Sequence, residues 1–319
     1  MQRVQRHGDT LFLMGGSNDV LRLYSDADLI PVAAWQQRLA ARAEFFAARA
    51  IPWRMLLAPE KLSVLGDALL PPDAIRPAAR LRHPALLDPT ATLRTHAAST
   101  YARTDSHWTP HGARLAFERI MADLGLAFDP APYLALPVWN LSYHGDLWTD
   151  AHADLPPDDF SRRAVPDWLH RTHANPIVAF KEQQGLLNEA GLHVGSYVVW
   201  RNHRPQHAKR LLLFGSSFSE YRADCALLSL LAALTFAEVH FVWSADLDFG
   251  LVARIAPDLV LVEMPERFLT HCPADDFNLA GHEAAVLARY ETLARYETVA
   301  RYETVPGLAS SSSSSSSSC

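Results

Sequence analysis

The sequence predicts an α/β protein: a doubly wound, mostly parallel sheet with helices on both faces, in one decorated domain. Three observations predict it. Several short apolar runs lack polar alternation, as strands covered on both faces do. Helical patterns separate some of those runs, which indicates βαβ units. The composition, 49% apolar and 20% charged over 319 residues, is that of a globular chain with enough length to bury a full core.

The elements follow in order. TLFLM (10–14) is the first expected strand. AAWQQRLAARAEFFAARA (33–50) is a helix leading into the second strand, WRMLLA (53–58). Thr109 before Pro110 marks a helix start, with threonine as N-cap and proline at the first helical position. Ala113, Phe117, Ile120, Met121 and Leu124 then keep helical spacing. From about 126 to 196 the chain is richer in Pro, Asp and His, and long loops are expected. RLLLFG (210–215), VHFVW (239–243) and DLVLVE (258–263) are the remaining strands, and SEYRADCALLSLLAALTF is a helix between the first two of these.

The domain is expected to span 1–283, with a low-complexity tail over 284–319. The tail repeats a six-residue unit three times in LARYETLARYETVARYETV and then runs through nine serines, Ser310 to Ser318. A six-residue step on a helix leaves a rotation of about 240°, so Tyr290, Tyr296 and Tyr302 build no common stripe. Glu291 with Arg295 and Glu297 with Arg301 sit at i,i+4, and a solvated helix before a disordered serine tail is expected.

Other classes are disfavoured. The 29 basic and 35 acidic residues give a net charge of −6 without a basic stripe, which argues against nucleic acid as a partner. Cys225, Cys272 and Cys319 make neither a disulfide framework nor a zinc motif. The N-terminal apolar stretch is only LFLM, so no signal peptide is visible, and CALLSLLAALTFA (225–237) is too short to span a bilayer.

Two segments carry the chemistry. In RLLLFGSSFSEY a buried strand ends at Gly215 and a helix is expected from about Phe218, which leaves Ser217 in the turn at the carboxyl end of the strand, where open α/β sheets bind ligands. The Ser217 N–H, at that helix start, would face an oxyanion. A serine there can equally be a helix cap. In TDSHWTPHGA, Asp105 and His107 precede a helix and, two apart in an extended segment, share one side, so that aspartate can orient imidazole as a Ser-His-Asp triad requires. A metal set of His107, His111 and Asp105 competes less well, because His107 precedes the helix that holds His111.

TDSHWTPHGA joined to the later strand–GSSFS elbow resembles the SGNH-hydrolase-like domain of the alginate O-acetyltransferase (AlgX/AlgJ) family. HGDTLFLMGGSNDVLRLY, APEKLSVLGDALLP, YHGDLWTD and PDLVLVEMPERFL resemble further stretches in order, over roughly residues 8 to 270. The resemblance implies Ser217 as nucleophile, His107 as general base and Asp105 as orienter. It implies O-acetylation of a bacterial, alginate-like exopolysaccharide, without cofactor or metal, with a membrane-bound acyltransferase as acetyl donor. A carbohydrate esterase and a non-catalytic glycan-binding scaffold are the alternatives. Ser216 stands where the family usually has aspartate, so the hydrogen bonding of the elbow should differ. The resemblance points to the periplasm; without a visible signal peptide, the cytoplasm is the alternative. Lys61, Asp146, Trp108 and Trp148 are weighed as sugar contacts and left unassigned.

Overall fold

The computed structural model describes residues 4–16 and 19–290. The described residues form eleven strands in chain order: β1 (Val4–His7), β2 (Thr10–Leu13), β3 (Trp53–Ala58), β4 (Leu86–Leu87), β5 (Val138–Tyr143), β6 (Asp158–Arg163), β7 (Leu169–Ala174), β8 (Tyr197–Asn202), β9 (His207–Gly215), β10 (Phe236–Trp243) and β11 (Leu259–Pro265). Seven of them form the main sheet in the order β4-β3-β11-β9-β10-β8-β7.

Pairing is parallel from β4 to β10 and antiparallel for β8 and β7, so the sheet is mixed rather than doubly wound and parallel throughout. The parallel part is where the continuous apolar runs lie. On β9, Leu211 and Leu213 pack to one face with Phe117 and Ile120 of the helix Pro110–Asp123, whereas Leu212 and Phe214 pack to the other with Trp35, Leu39 and Phe46 of the helix Val32–Ala47. Alternate residues feed two cores, and both faces must therefore be apolar. The helix Pro110–Asp123 starts as expected, with the Thr109 side chain accepting from Gly112 N–H.

Three expectations change. TLFLM is not in the main sheet: Gly8, at φ +63°, turns the chain so that β2 pairs only with β1. Residues 126–196 are not mainly loops; they hold the β5–β6 hairpin, β7 and the helix Pro176–Gln184. β5 and β7 are exposed over most of their length, and β6 and β7 carry mainly polar residues, so these strands lack the apolar run of a buried strand. The helix expected over 219–236 begins only at Leu228.

Residues 279–290 are helical and cross position 283, with Glu283 accepting from Asn175 Nδ2 at 2.6 Å and Tyr290 donating to Glu189 at 3.0 Å. The Glu291–Arg295 and Glu297–Arg301 pairs, the serine run and Cys319 lie outside the described residues. Cys225 and Cys272 are free thiols. Among the described residues no helix is long and apolar enough to cross a membrane.

Candidate active site

Asp105, His107 and Ser217 converge at the carboxyl end of β9 although 110 residues separate His107 from Ser217. His107 Nδ1 lies 2.8 Å from Asp105 Oδ1, and His107 Nε2 lies 2.8 Å from Ser217 Oγ. Asp105 Oδ1 also accepts from the His107 backbone N–H at 2.8 Å, closing a two-residue turn that holds the ring beside the Asp105 carboxylate. Trp108, 1% exposed, donates its indole N–H to Phe218 O at 2.9 Å and so ties the His107 segment to the Ser217 segment. That bond makes Trp108 a structural brace, and its ring also forms part of the wall of the cavity beside Ser217. Trp148 stacks on His144 and bonds His152 O.

The elbow differs from the expectation. No helix starts at Phe218; Ser219 N–H and Glu220 N–H both bond Ser216 O, and Glu220 takes φ +53°. The buried carboxylate of Glu263 on β11 organises this turn, accepting from Ser216 N–H (2.8 Å), Ser216 Oγ (2.9 Å) and Ser219 Oγ (2.8 Å). A second carboxylate, Glu220, accepts from Tyr221 N–H and Arg222 N–H, which consumes donors a helix would need. Ser216, in the position of the family aspartate, is thus the hydroxyl that links the elbow to Glu263. Among the described residues, Ser217 N–H has no acceptor, so this donor is available without a helix dipole behind it.

The loop holding Asp105 is pinned from three sides. Lys61 is 2% exposed, and its ammonium donates to Ala102 O (2.5 Å), Arg103 O (2.8 Å) and Asp105 O (3.0 Å). Burial lowers the Lys61 pKa to about 8 against the pull of Asp105. Lys61 is therefore neither solvated nor free to hold an anionic sugar. Asp158 on β6 accepts from Thr104 N–H and Oγ at 2.7 and 2.6 Å. Asp146 accepts from Ser106 N–H and Oγ, both at 2.7 Å. Gly145 packs so closely that a Cβ there would meet the backbone of Asp105 at 2.5 Å. The Gly-Asp pair is readable in sequence as a turn; its contact with Asp105 depends on a pairing 40 residues away.

Burial and neighbouring charge act in opposite directions on His107. Burial alone lowers the His107 pKa, but the hydrogen bond and charge of Asp105, with Asp146 beyond it, raise it above the ordinary imidazole value. Burial likewise pushes the Asp105 carboxyl up, and the His107 hydrogen bond and charge outweigh that and hold it well below the usual carboxylate range.

The metal reading through His111 is not realised: His111 faces Arg114 and His96 on the helix. Ligand atoms of Asp105, His107 and Asp146 do lie within 4.8 Å of one another. Both ring nitrogens of His107 are already engaged, however, and ligation by either would displace Asp105 or Ser217.

The three residues open on a cavity of about 480 Å³ lined also by Tyr143, Phe160, Arg162, His193 and Trp243. The family model that matches this chain, over residues 21–198, is the SGNH hydrolase-like domain of the acetyltransferase AlgX. This chain belongs to that family. The matched part holds Asp105 and His107; Ser217 follows it in the chain. No curated protein matches the chain significantly.

Solved structures extend the likeness of the fold past the AlgX-matched part. PatB1 of Bacillus cereus is 14% identical, covers 84% of this chain and 97% of its own, and has a TM-score of 0.55. A DHHW family protein from Eubacterium siraeum is 12% identical, covers 88% and 94%, and has a TM-score of 0.56.

Proposed function

We propose that this AlgX-family chain is an O-acetyltransferase that carries acetyl on Ser217 and delivers it to a hydroxyl of a bacterial exopolysaccharide. The observation that carries the reading is the continuous relay from Asp105 through His107 to Ser217 Oγ, with two contacts of 2.8 Å. His107 Nε2 takes the hydroxyl proton as Ser217 Oγ attacks the acetyl carbonyl. Ser217 N–H faces the oxyanion of the tetrahedral intermediate. Collapse expels the donor's leaving group, which receives the proton from His107, and leaves acetyl-Ser217. A sugar hydroxyl then gives its proton to His107 and attacks the acyl carbon; collapse returns that proton to Ser217 Oγ. Asp105 keeps Nδ1 protonated and stabilises the imidazolium.

A membrane-bound acyltransferase as donor, an alginate-like acceptor and a periplasmic setting belong to the same proposal and rest on family membership.

A serine-directed fluorophosphonate tests it. The wild type should be labelled at Ser217 and Ser217→Ala should not. Neutral His107 is the base, so labelling should fall as pH drops through the raised His107 pKa, with its half-point above about 6.5. Asp105→Asn removes the group that raises that pKa and should move the half-point to lower pH. Equal labelling of the wild type and Ser217→Ala would refute the assignment.

A further inference from the structure

We propose that the β5–β6 hairpin is a binding face for a stretch of the acceptor polysaccharide several sugars long, leading outward from Ser217, with Trp139 as its outermost platform. The inference rests on the acetyl-transfer reading and adds where the acceptor chain lies.

The register supports it. Across the hairpin Tyr143 pairs with Asp158, Leu141 with Phe160, and Trp139 with Arg162. Side chains two apart on a strand share a face. Tyr143, Leu141, Phe160 and Arg162 all line the catalytic cavity, so this face is the one turned to the nucleophile. Trp139 continues the same row. From Tyr143 to Trp139 the row runs about 13 Å at the rise of a strand, longer than one pyranose ring.

The inner end of the row is anchored and its outer end is open. Asp158 holds Arg103 and Thr104, beside Asp105, and so fixes the start of the hairpin at the catalytic loop. Arg162 is paired with Asp224, which ties the second strand to the segment after Ser217. Trp139 and Leu141 are 43% and 41% exposed and stand next to each other on the face that opens on the cavity, so their exposed apolar surface is contiguous with it. An aromatic ring with an open face, an aliphatic floor and a charge-neutralised arginine suit the alternating C–H faces and hydroxyl rims of a sugar chain. Continuity with the cavity that the acceptor hydroxyl must enter selects the polysaccharide as occupant over a docked protein.

The test uses the full chain, p-nitrophenyl acetate as donor, and cello-oligosaccharides and oligomannuronates from monosaccharide to hexasaccharide as acceptors. For Trp139→Ala, KM for the tetra- and hexasaccharide should rise about tenfold, as loss of an aromatic contact implies. The monosaccharide should change much less, and kcat at saturating acceptor should hold. Leu141→Ser should show the same length dependence, and Ser142→Ala, on the opposite face of β5, should match the wild type. The same fractional loss at every length, which a donor-docking role would give, overturns the proposal. So does wild-type behaviour of Trp139→Ala, or transfer to neither series. The catalytic reading is judged separately, by whether Ser217→Ala abolishes p-nitrophenyl acetate hydrolysis.

Discussion

Ser217→Ala is expected to lower acetyl-ester turnover by about three to six orders of magnitude, the scale on which a nucleophile acting with its base as a unit is lost. His107→Ala should lose nearly as much, and the double variant little more than either single one, because each step needs both groups. Asp105→Asn should retain the fold and the serine–imidazole contact yet lose about two to four orders, since Asn cannot hold Nδ1 protonated against a rising positive charge. Hydrolysis of p-nitrophenyl acetate reads all four. Multiplicative losses in the double variant would mean that Ser217 and His107 act separately. Activity that survives without Ser217 would move the nucleophile elsewhere.

Gly145→Ala is the second large expected effect, at a residue that touches no reacting atom. A Cβ at 145 would lie 2.5 Å from the N, Cα and Cβ of Asp105, so backbone rather than a pliable side-chain tip must move. That backbone is held by Lys61 on one side and by Asp158 through Thr104 on the other. Displacement therefore falls on Asp105 and the imidazole it aims. A shift of about 1 Å in catalytic geometry costs about 100-fold in rate. We expect kcat/KM to fall by about that factor while far-UV circular dichroism stays native, because 145 lies in the connection between β5 and β6, outside the main sheet. Wild-type activity in Gly145→Ala would show that the Asp105 loop is softer than its hydrogen bonds imply.

The parallel half of the fold was legible because its physics is local. β3, β9, β10 and β11 are runs of apolar residues, and burial on both faces writes that signal directly into the chain. β7 and the β5–β6 hairpin were not, because they are exposed and carry residues such as His170, Arg171, Arg162 and Asn140 where a run would need leucine. The helix expected at Phe218 failed for another reason. Residues 219–227 have helical spacing, but the Glu220 carboxylate takes the Tyr221 and Arg222 N–H groups that a helix would need. Such a competitor is invisible to periodicity.

The candidate site divides the same way. Asp105 and His107 could be paired from their spacing before a capped helix, and Ser217 from its place after a strand. Asp146, Gly145 and Lys61 could not be weighted, since each acts through a partner about 40 residues distant. Lys61 shows how the error arises: a lysine after a strand is usually solvated, and here three carbonyls bury it.

The most direct measurement of the central claim is a single-turnover experiment with radiolabelled acetyl donor, followed by peptide mapping and an oligosaccharide chase. The account predicts acetyl on the peptide containing Ser217 and then, on the chase, on the sugar, with neither in Ser217→Ala. Acetyl reaching sugar in that variant, or label on a peptide without Ser217, would contradict it.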